Sequence, residues 1–147
     1  MTSQNEAFLF YDSGEGDVNR LIIFATASNL TLLKECDELF VDGTFKVCPA
    51  VFHQLYTFHV KLPEGKTVPA VFSLLPAKSS ATYRRLLDVV VSAIDGFHAQ
   101  IVHVDFKVAM IRELELAFPA AGILGCSFHF NECIWRNIQS DAALRNL

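Results

Sequence analysis

The sequence predicts an α/β domain built on a mixed sheet. Three observations carry this reading. Three strand-like runs, Glu38 to Asp42, Val51 to Lys61 and Thr67 to Leu75, follow one another through short connections. Helix and strand patterns then alternate towards the C-terminus. Two short apolar runs, Leu39–Val41 and Ile101–Val104, each end on an aspartate, Asp42 and Asp105. Antiparallel strands followed by helix–strand alternation give a sheet with both antiparallel and parallel neighbours.

Each element has its own signal. Residues 1–10 read as a frayed start containing a short apolar piece, Ala7 to Tyr11, followed by a Gly- and Asp-rich turn, Asp12 to Asp17. Leu21 to Ala25 is strand-like, and Asn29 to Lys34 fits a short helix. The turn Pro63–Lys66 joins the second and third strands as a hairpin. Tyr83, Leu86, Leu87, Val90, Val91 and Ile94 recur at helical spacing, with Ser79 or Ser80 as cap and Gly96 as terminator. A fourth strand, Gln100 to Val104, leads into Asp105. A second helix spans roughly Val108 to Phe118, burying Met110, Ile111, Leu114, Ala117 and Phe118. A fifth strand, Gly122 to Cys126, precedes a third helix from about Phe130 to Gln139. From Glu38 onward the order is β-β-β-α-β-α-β-α. Such a sheet can set its first and fourth strands side by side and parallel, which would make Asp42 and Asp105 neighbours.

Composition bounds the possibilities. The 147 residues suit one domain, residues 37–147, preceded by a lead-in segment, residues 1–36. A hydrophobic fraction of 52%, including 13 Phe, is ample for a core and excludes long disorder. No apolar run is long enough to span a membrane, and the N-terminus lacks the features of a signal peptide. An intracellular chain is expected, with Cys36, Cys48, Cys126 and Cys133 reduced and without CxxC spacing. Residues 1–42 hold eight Asp/Glu against two Lys/Arg, and residues 43–147 hold eight against ten. No basic stripe strong enough to bind nucleic acid unaided is present.

The chemistry concentrates in two places. A carboxylate closing an apolar strand is costly to bury unless paired or metal-bound, and Gly43 after Asp42 permits close approach. Two such acids on adjacent strands suit Mg²⁺ or Mn²⁺, which prefer oxygen ligands. The competing reading is a turn or capping aspartate. A third acid normally completes a two-metal site. Glu113 has the spacing of a solvated helix face, and Glu132 and Asp141 have no special context. The second place is GCSFHF, Gly125 to Phe130. Cys126 and His129 could supply two zinc ligands, against four in a structural site; the competing reading is a buried thiol and a hydrogen-bonded imidazole. Lys78, Arg84 and Arg85 could touch phosphates or form a solvated face. Trp135, Ile134 and Ile138 read as core. His53 and His59 receive no role.

Taken in order, these motifs resemble the MULE transposase domain, the catalytic region of Mutator-like DNA transposases. The matching pieces are DGTFKVCP from Asp42, QLYTFH from Gln54, VPAVFSLLPAKSSATYRRL from Val68, VDFKVAMIREL from Val104, AFP from Ala117 and GCSFHFNECIWRNIQ from Gly125. The resemblance covers about Asp37 to Gln139. It implies an RNase H-like fold and a DDE-type site whose first two acids are Asp42 and Asp105, holding Mg²⁺ or Mn²⁺, with the Cys-x-x-His pair on Cys126 and His129. It implies DNA as partner and a nuclear location, and it allows a homo-oligomer. The family's third acid, a Glu, follows a helical insertion; the chain is expected to end within that insertion, leaving this acid without a counterpart. Two positions depart from the family pattern. The TDFE-like motif reads VDFK, with Lys107 where an acid is usual, and Glu132 stands where Gln is common. Lys107 would compete with a metal ion for Asp105.

Three functions follow from this sequence. The first is a transposase catalytic-core fragment, incomplete as an enzyme. The second is a non-catalytic, host-retained module that binds DNA or protein. The third is a small two-metal nuclease borrowing Glu113 or Glu35 as its third acid.

Overall fold

The computed structural model describes residues 5–44 and 47–140, with Phe128 described by its backbone only. Asp141 lies outside these residues. The chain order is β1 (Leu9–Asp12), β2 (Ile22–Phe24), α1 (Ala27–Glu35), β3 (Glu38–Thr44), β4 (Gln54–Lys61), β5 (Thr67–Leu75), α2 (Ser80–Ala93), β6 (Ile101–Val104), α3 (Val108–Ala117), β7 (Gly122–Gly125) and α4 (Ser127–Ser140). The strands form one seven-stranded sheet in the order β1-β2-β5-β4-β3-β6-β7. Six of these strands match the sequence expectation within a few residues, β2 lying inside the strand-like run Leu21 to Ala25. The seventh, β1, forms from the short apolar piece at Ala7 to Tyr11, and together β1 and β2 extend the sheet beyond β5.

Hydrogen bonding makes β5-β4-β3 antiparallel, while β3-β6 and β6-β7 are parallel. The expected parallel pairing of the strands leading to Asp42 and Asp105 is therefore present. Strand β4 starts at Gln54 rather than Val51, because residues 51–53 turn into the strand. Pro69 sits inside β5, where it can donate no hydrogen bond. It is tolerated because the β4–β5 register shifts there and β2 pairs only with Phe72–Leu74.

Alternation along the strands sorts the two faces of the sheet. Leu39, Val41, Tyr56, Phe58, Val102 and Val104 are essentially inaccessible. They share one core with Leu33 of α1, Tyr83, Leu86, Leu87 and Val90 of α2, and Met110 and Leu114 of α3. Residues of the opposite parity are half-buried: Phe40 stacks on His103 with ring centres 4.3 Å apart, and Phe8 packs on Phe24 and Phe72. Helix α2 starts where expected, with the Ser79 hydroxyl accepting from the Thr82 amide. Gly96 adopts φ +79°, a left-handed conformation that suits glycine in the turn after this helix.

Two ion pairs secure the edge built by β1 and β2. Asp12 accepts from Arg20, and Asp17 accepts from Arg85 on α2 at 2.7 Å. Hydrogen bonds from these arginines, helped by nearby amides, hold both carboxyls down at about 2, below the ordinary value of 3.8. A depressed folded-state pKa contributes stability above the unfolded value and loses it as pH falls through the folded one. Acid titration between about pH 4 and pH 2 should therefore lower the melting temperature. Asp17→Asn should flatten that part of the profile; an unchanged slope in this variant would discount the Asp17–Arg85 pair.

Candidate functional site

The parallel register of β3 and β6 runs Leu39 with Val102, Phe40 with His103 and Val41 with Val104. The next residues are Asp42, still within β3, and Asp105, one step beyond β6. Neighbouring strands lie about 4.8 Å apart, so the two acids are set side by side at the C-terminal ends of the parallel strands. This is where open α/β sheets present ligand sites.

The two acids differ in surroundings. Asp105 is buried, at 6% exposure, and its Oδ2 accepts from Lys107 Nζ at 2.5 Å. Asp42 is more open, with His129 Nε2 3.3 Å from its Oδ1. That contact is close without having hydrogen-bond alignment. Oδ1 of Asp42 and Oδ1 of Asp105 are both buried without a hydrogen-bond partner. Such orphaned carboxylate oxygens are costly unless something positive reaches them. Helix α4, which begins at Ser127, brings His129 to Asp42 from its first turn.

Behind the acids lies a shell that the sequence did not disclose. Tyr56 stands opposite Gly43 in the β3–β4 register. A Cβ on residue 43 would lie 3.0 Å from each of Gln54 Oε1, Lys107 Nζ and Tyr56 Cδ2. A side chain at residue 43 would crowd these three groups, which converge above its backbone. Gln54, fully buried, donates from Nε2 to Tyr83 Oη at 3.0 Å and to the Ala77 carbonyl at 3.2 Å. Burial, then the Asp105 charge, pushes the Tyr56 phenol well above its usual range; burial also raises Tyr83. Both phenols therefore stay protonated beside the carboxylates. Gln54 and Tyr56 belong to the QLYTFH segment. Period-two alternation opposite Gly43 was the signal that could have singled them out.

Other sequence expectations are corrected here. Glu113 is buried, not solvated: Arg84 Nε and Nη2 clasp its two carboxylate oxygens at 3.0 and 3.2 Å, joining α2 to α3. It is thereby committed as a structural anion. Glu35 lies beside Cys36, Asp37 and Pro63 around a cavity of about 410 Å³ at the start of β3, the end opposite Asp42. Neither acid joins the aspartate pair. The proposed basic group is divided, since Arg84 holds Glu113 and Arg85 holds Asp17 and the Asn19 carbonyl. Trp135 and Ile134 are exposed on α4, at 59% and 43%, rather than in the core. Glu132 pairs with Arg136 one helical turn on. His59 lies half-buried on β4, where burial lowers its pKa against the opposing pull of Asp42.

Cys126 lies at the β7–α4 junction, as expected, and His129 approaches Asp42. Among the described residues no group of three or more His, Cys, Asp and Glu is placed to hold a metal ion. Among the described residues the Cys126/His129 pair has no further ligands of the kind a structural zinc needs. Magnesium makes a smaller demand on the protein. It keeps several waters and is commonly held by one or two carboxylates together with substrate phosphates.

Residues 38–133, from the first residue of β3 into α4, match the MULE transposase domain. The chain belongs to this family. No curated protein matches it. The matched span of this MULE domain includes both aspartates, the Gly43 shell, Lys107 and His129, so the whole candidate site lies within it. Among the described residues no helix is long and apolar enough to cross a membrane.

Proposed function

We propose that this MULE domain is a DNA transposase catalytic core, with Asp42 and Asp105 as the first two acids of a DDE-type site on an RNase H-like sheet. The strand order β5-β4-β3-β6-β7, three antiparallel strands continued by two parallel ones, supports that fold reading. One observation carries the site: adjacent acids on parallel strands, each with a buried Oδ1 lacking a hydrogen-bond partner. This donor set fits a hard divalent cation such as Mg²⁺ or Mn²⁺. When bound, such an ion would sharpen an oxygen nucleophile and neutralise charge on the leaving oxygen of a phosphodiester.

The remaining roles fall to the chain itself. Asp105, fixed at the end of β6 and walled by Tyr56, provides the rigid carboxylate. Asp42, more open, provides the one that faces arriving DNA. His129 approaches Asp42 from the α4 side, where a protonated ring would offset its charge. Gly43 leaves room for the Gln54, Lys107 and Tyr56 side chains that stand beside the acids. Among the described residues no third acid joins the pair, so metal and DNA binding are the activities expected of these residues. Strand cleavage would require a further carboxylate. DNA as partner makes the nucleus the expected place of action.

Mn²⁺ titration by calorimetry tests the proposal. Asp42→Asn and Asp105→Asn should each weaken Mn²⁺ binding by at least about tenfold, with circular dichroism unchanged. Equal Mn²⁺ affinity in the parent and both variants would return the two acids to turn and capping roles.

A further inference from the structure

Lys107 holds the position that a cation would take at Asp105. Its Nζ lies 2.5 Å from Asp105 Oδ2, and its side chain is only 26% exposed. The ammonium also lies 6.0 Å from the centre of the Tyr56 ring. A divalent ion using Asp105 would have to share the carboxylate with this charge or see it leave.

The surroundings offer Lys107 a second acceptor. Gln54 Oε1 is buried and has no hydrogen-bond partner. Its amide is held by Tyr83 Oη and the Ala77 carbonyl, both of which engage Nε2. This network orients Oε1 towards Gly43. Oε1 and Lys107 Nζ each lie 3.0 Å from the point a residue-43 Cβ would occupy, so they are at most twice that far apart. The missing Cβ leaves the path between them open. A buried carbonyl oxygen without a donor is itself unfavourable, and an ammonium would satisfy it.

We propose that Lys107 is a resident cation with two seats: Asp105 without metal, and Gln54 Oε1 once a divalent ion occupies the aspartates. This rests on the metal reading above and adds a competitor and its alternative position. In the metal-free protein Lys107 neutralises Asp105 and lets it remain buried. Metal binding must displace it, so affinity is set partly by how well Gln54 receives the ammonium.

The test is Mn²⁺ calorimetry on the whole chain, with melting curves to verify folding. Lys107→Met should tighten Mn²⁺ binding about tenfold, and Lys107→Arg, which keeps the charge, should not. Gln54→Leu should weaken binding about threefold in the parent but leave the Lys107→Met background unchanged. Lys107 is partly exposed, so its variants should fold even if Gln54→Leu does not. Equal affinity in the parent and Lys107→Met, with binding still lost in Asp105→Asn, would overturn the resident-cation proposal alone. Mn²⁺ binding that Asp105→Asn leaves intact, or no binding in any variant, would overturn the metal reading as well. An equal effect of Gln54→Leu in both backgrounds would overturn the second seat.

Discussion

Arg84→Met should destabilise the domain by about 2–3 kcal/mol. The reason is the asymmetry of the pair. Glu113 is buried, with 6% of its side chain exposed, whereas Arg84 is 61% exposed. Removing the arginine strands a carboxylate in the α2–α3 contact, next to Leu87 and Leu116. Breaking a buried pair in this way costs about 3–5 kcal/mol. The open side of Arg84 lets water partly replace the guanidinium, which sets the lower figure. The reverse change, Glu113→Gln, leaves an arginine that water can solvate and should cost about 1 kcal/mol. Combining Glu113→Gln with Arg84→Met should recover much of the loss, because no charge is then left buried. Urea denaturation of the four proteins gives the cycle. A loss below about 0.5 kcal/mol in Arg84→Met would place the pair among ordinary surface ion pairs. It would also reopen Glu113 as an acid free for other work, as the two-metal nuclease reading required.

Glu113 shows where the sequence stopped being legible. Its position on α3 was sound, since Met110 and Leu114 supplied the buried stripe. Its burial depended on an arginine 29 residues earlier, on another helix. Side-chain pairing between helices leaves no trace in the period of either helix. Trp135 failed in the opposite direction: its helix was expected, but nothing in the hydrophobic spacing of α4 reveals what that face meets. The aspartates were legible because each closes an apolar run, and a parallel sheet converts that shared position into adjacency. The edge strand β1 was harder, whereas β2 showed itself as the apolar run Leu21 to Ala25. Strand β1 has four residues, too few for alternation to stand out, and it gains strand character by pairing with β2. The Gly43 shell was hidden for a related reason. Gln54 and Tyr56 acquire their role only when β4 is laid antiparallel against β3.

Gly43→Ala should cost about 2 kcal/mol of stability and alter metal binding together with it. The added methyl would meet Gln54 Oε1, Lys107 Nζ and Tyr56 Cδ2, each at 3.0 Å. These neighbours do not yield equally. Tyr56 is fully buried between Phe58 and Tyr83, with ring centres 6.1 and 5.7 Å away. Gln54 is pinned by its two donated hydrogen bonds. Lys107 is the end of a flexible, partly exposed chain and should move first. The backbone is not the source of the cost, since Gly43 lies within a regular strand and has no positive φ. The penalty is therefore overpacking against two rigid groups, offset by what the lysine can give. If Lys107 is pushed off Asp105 but also barred from Gln54, the carboxylate loses its counter-charge in the metal-free protein. Mn²⁺ should then raise the melting temperature of Gly43→Ala more than that of the parent. Lys107→Met in the Gly43→Ala background should relieve part of the destabilisation, because methionine is one atom shorter and places nothing at the colliding Nζ position. An alanine variant as stable as the parent, with the same Mn²⁺-induced shift, would mean that the space above residue 43 is not contested and that glycine there serves only the strand.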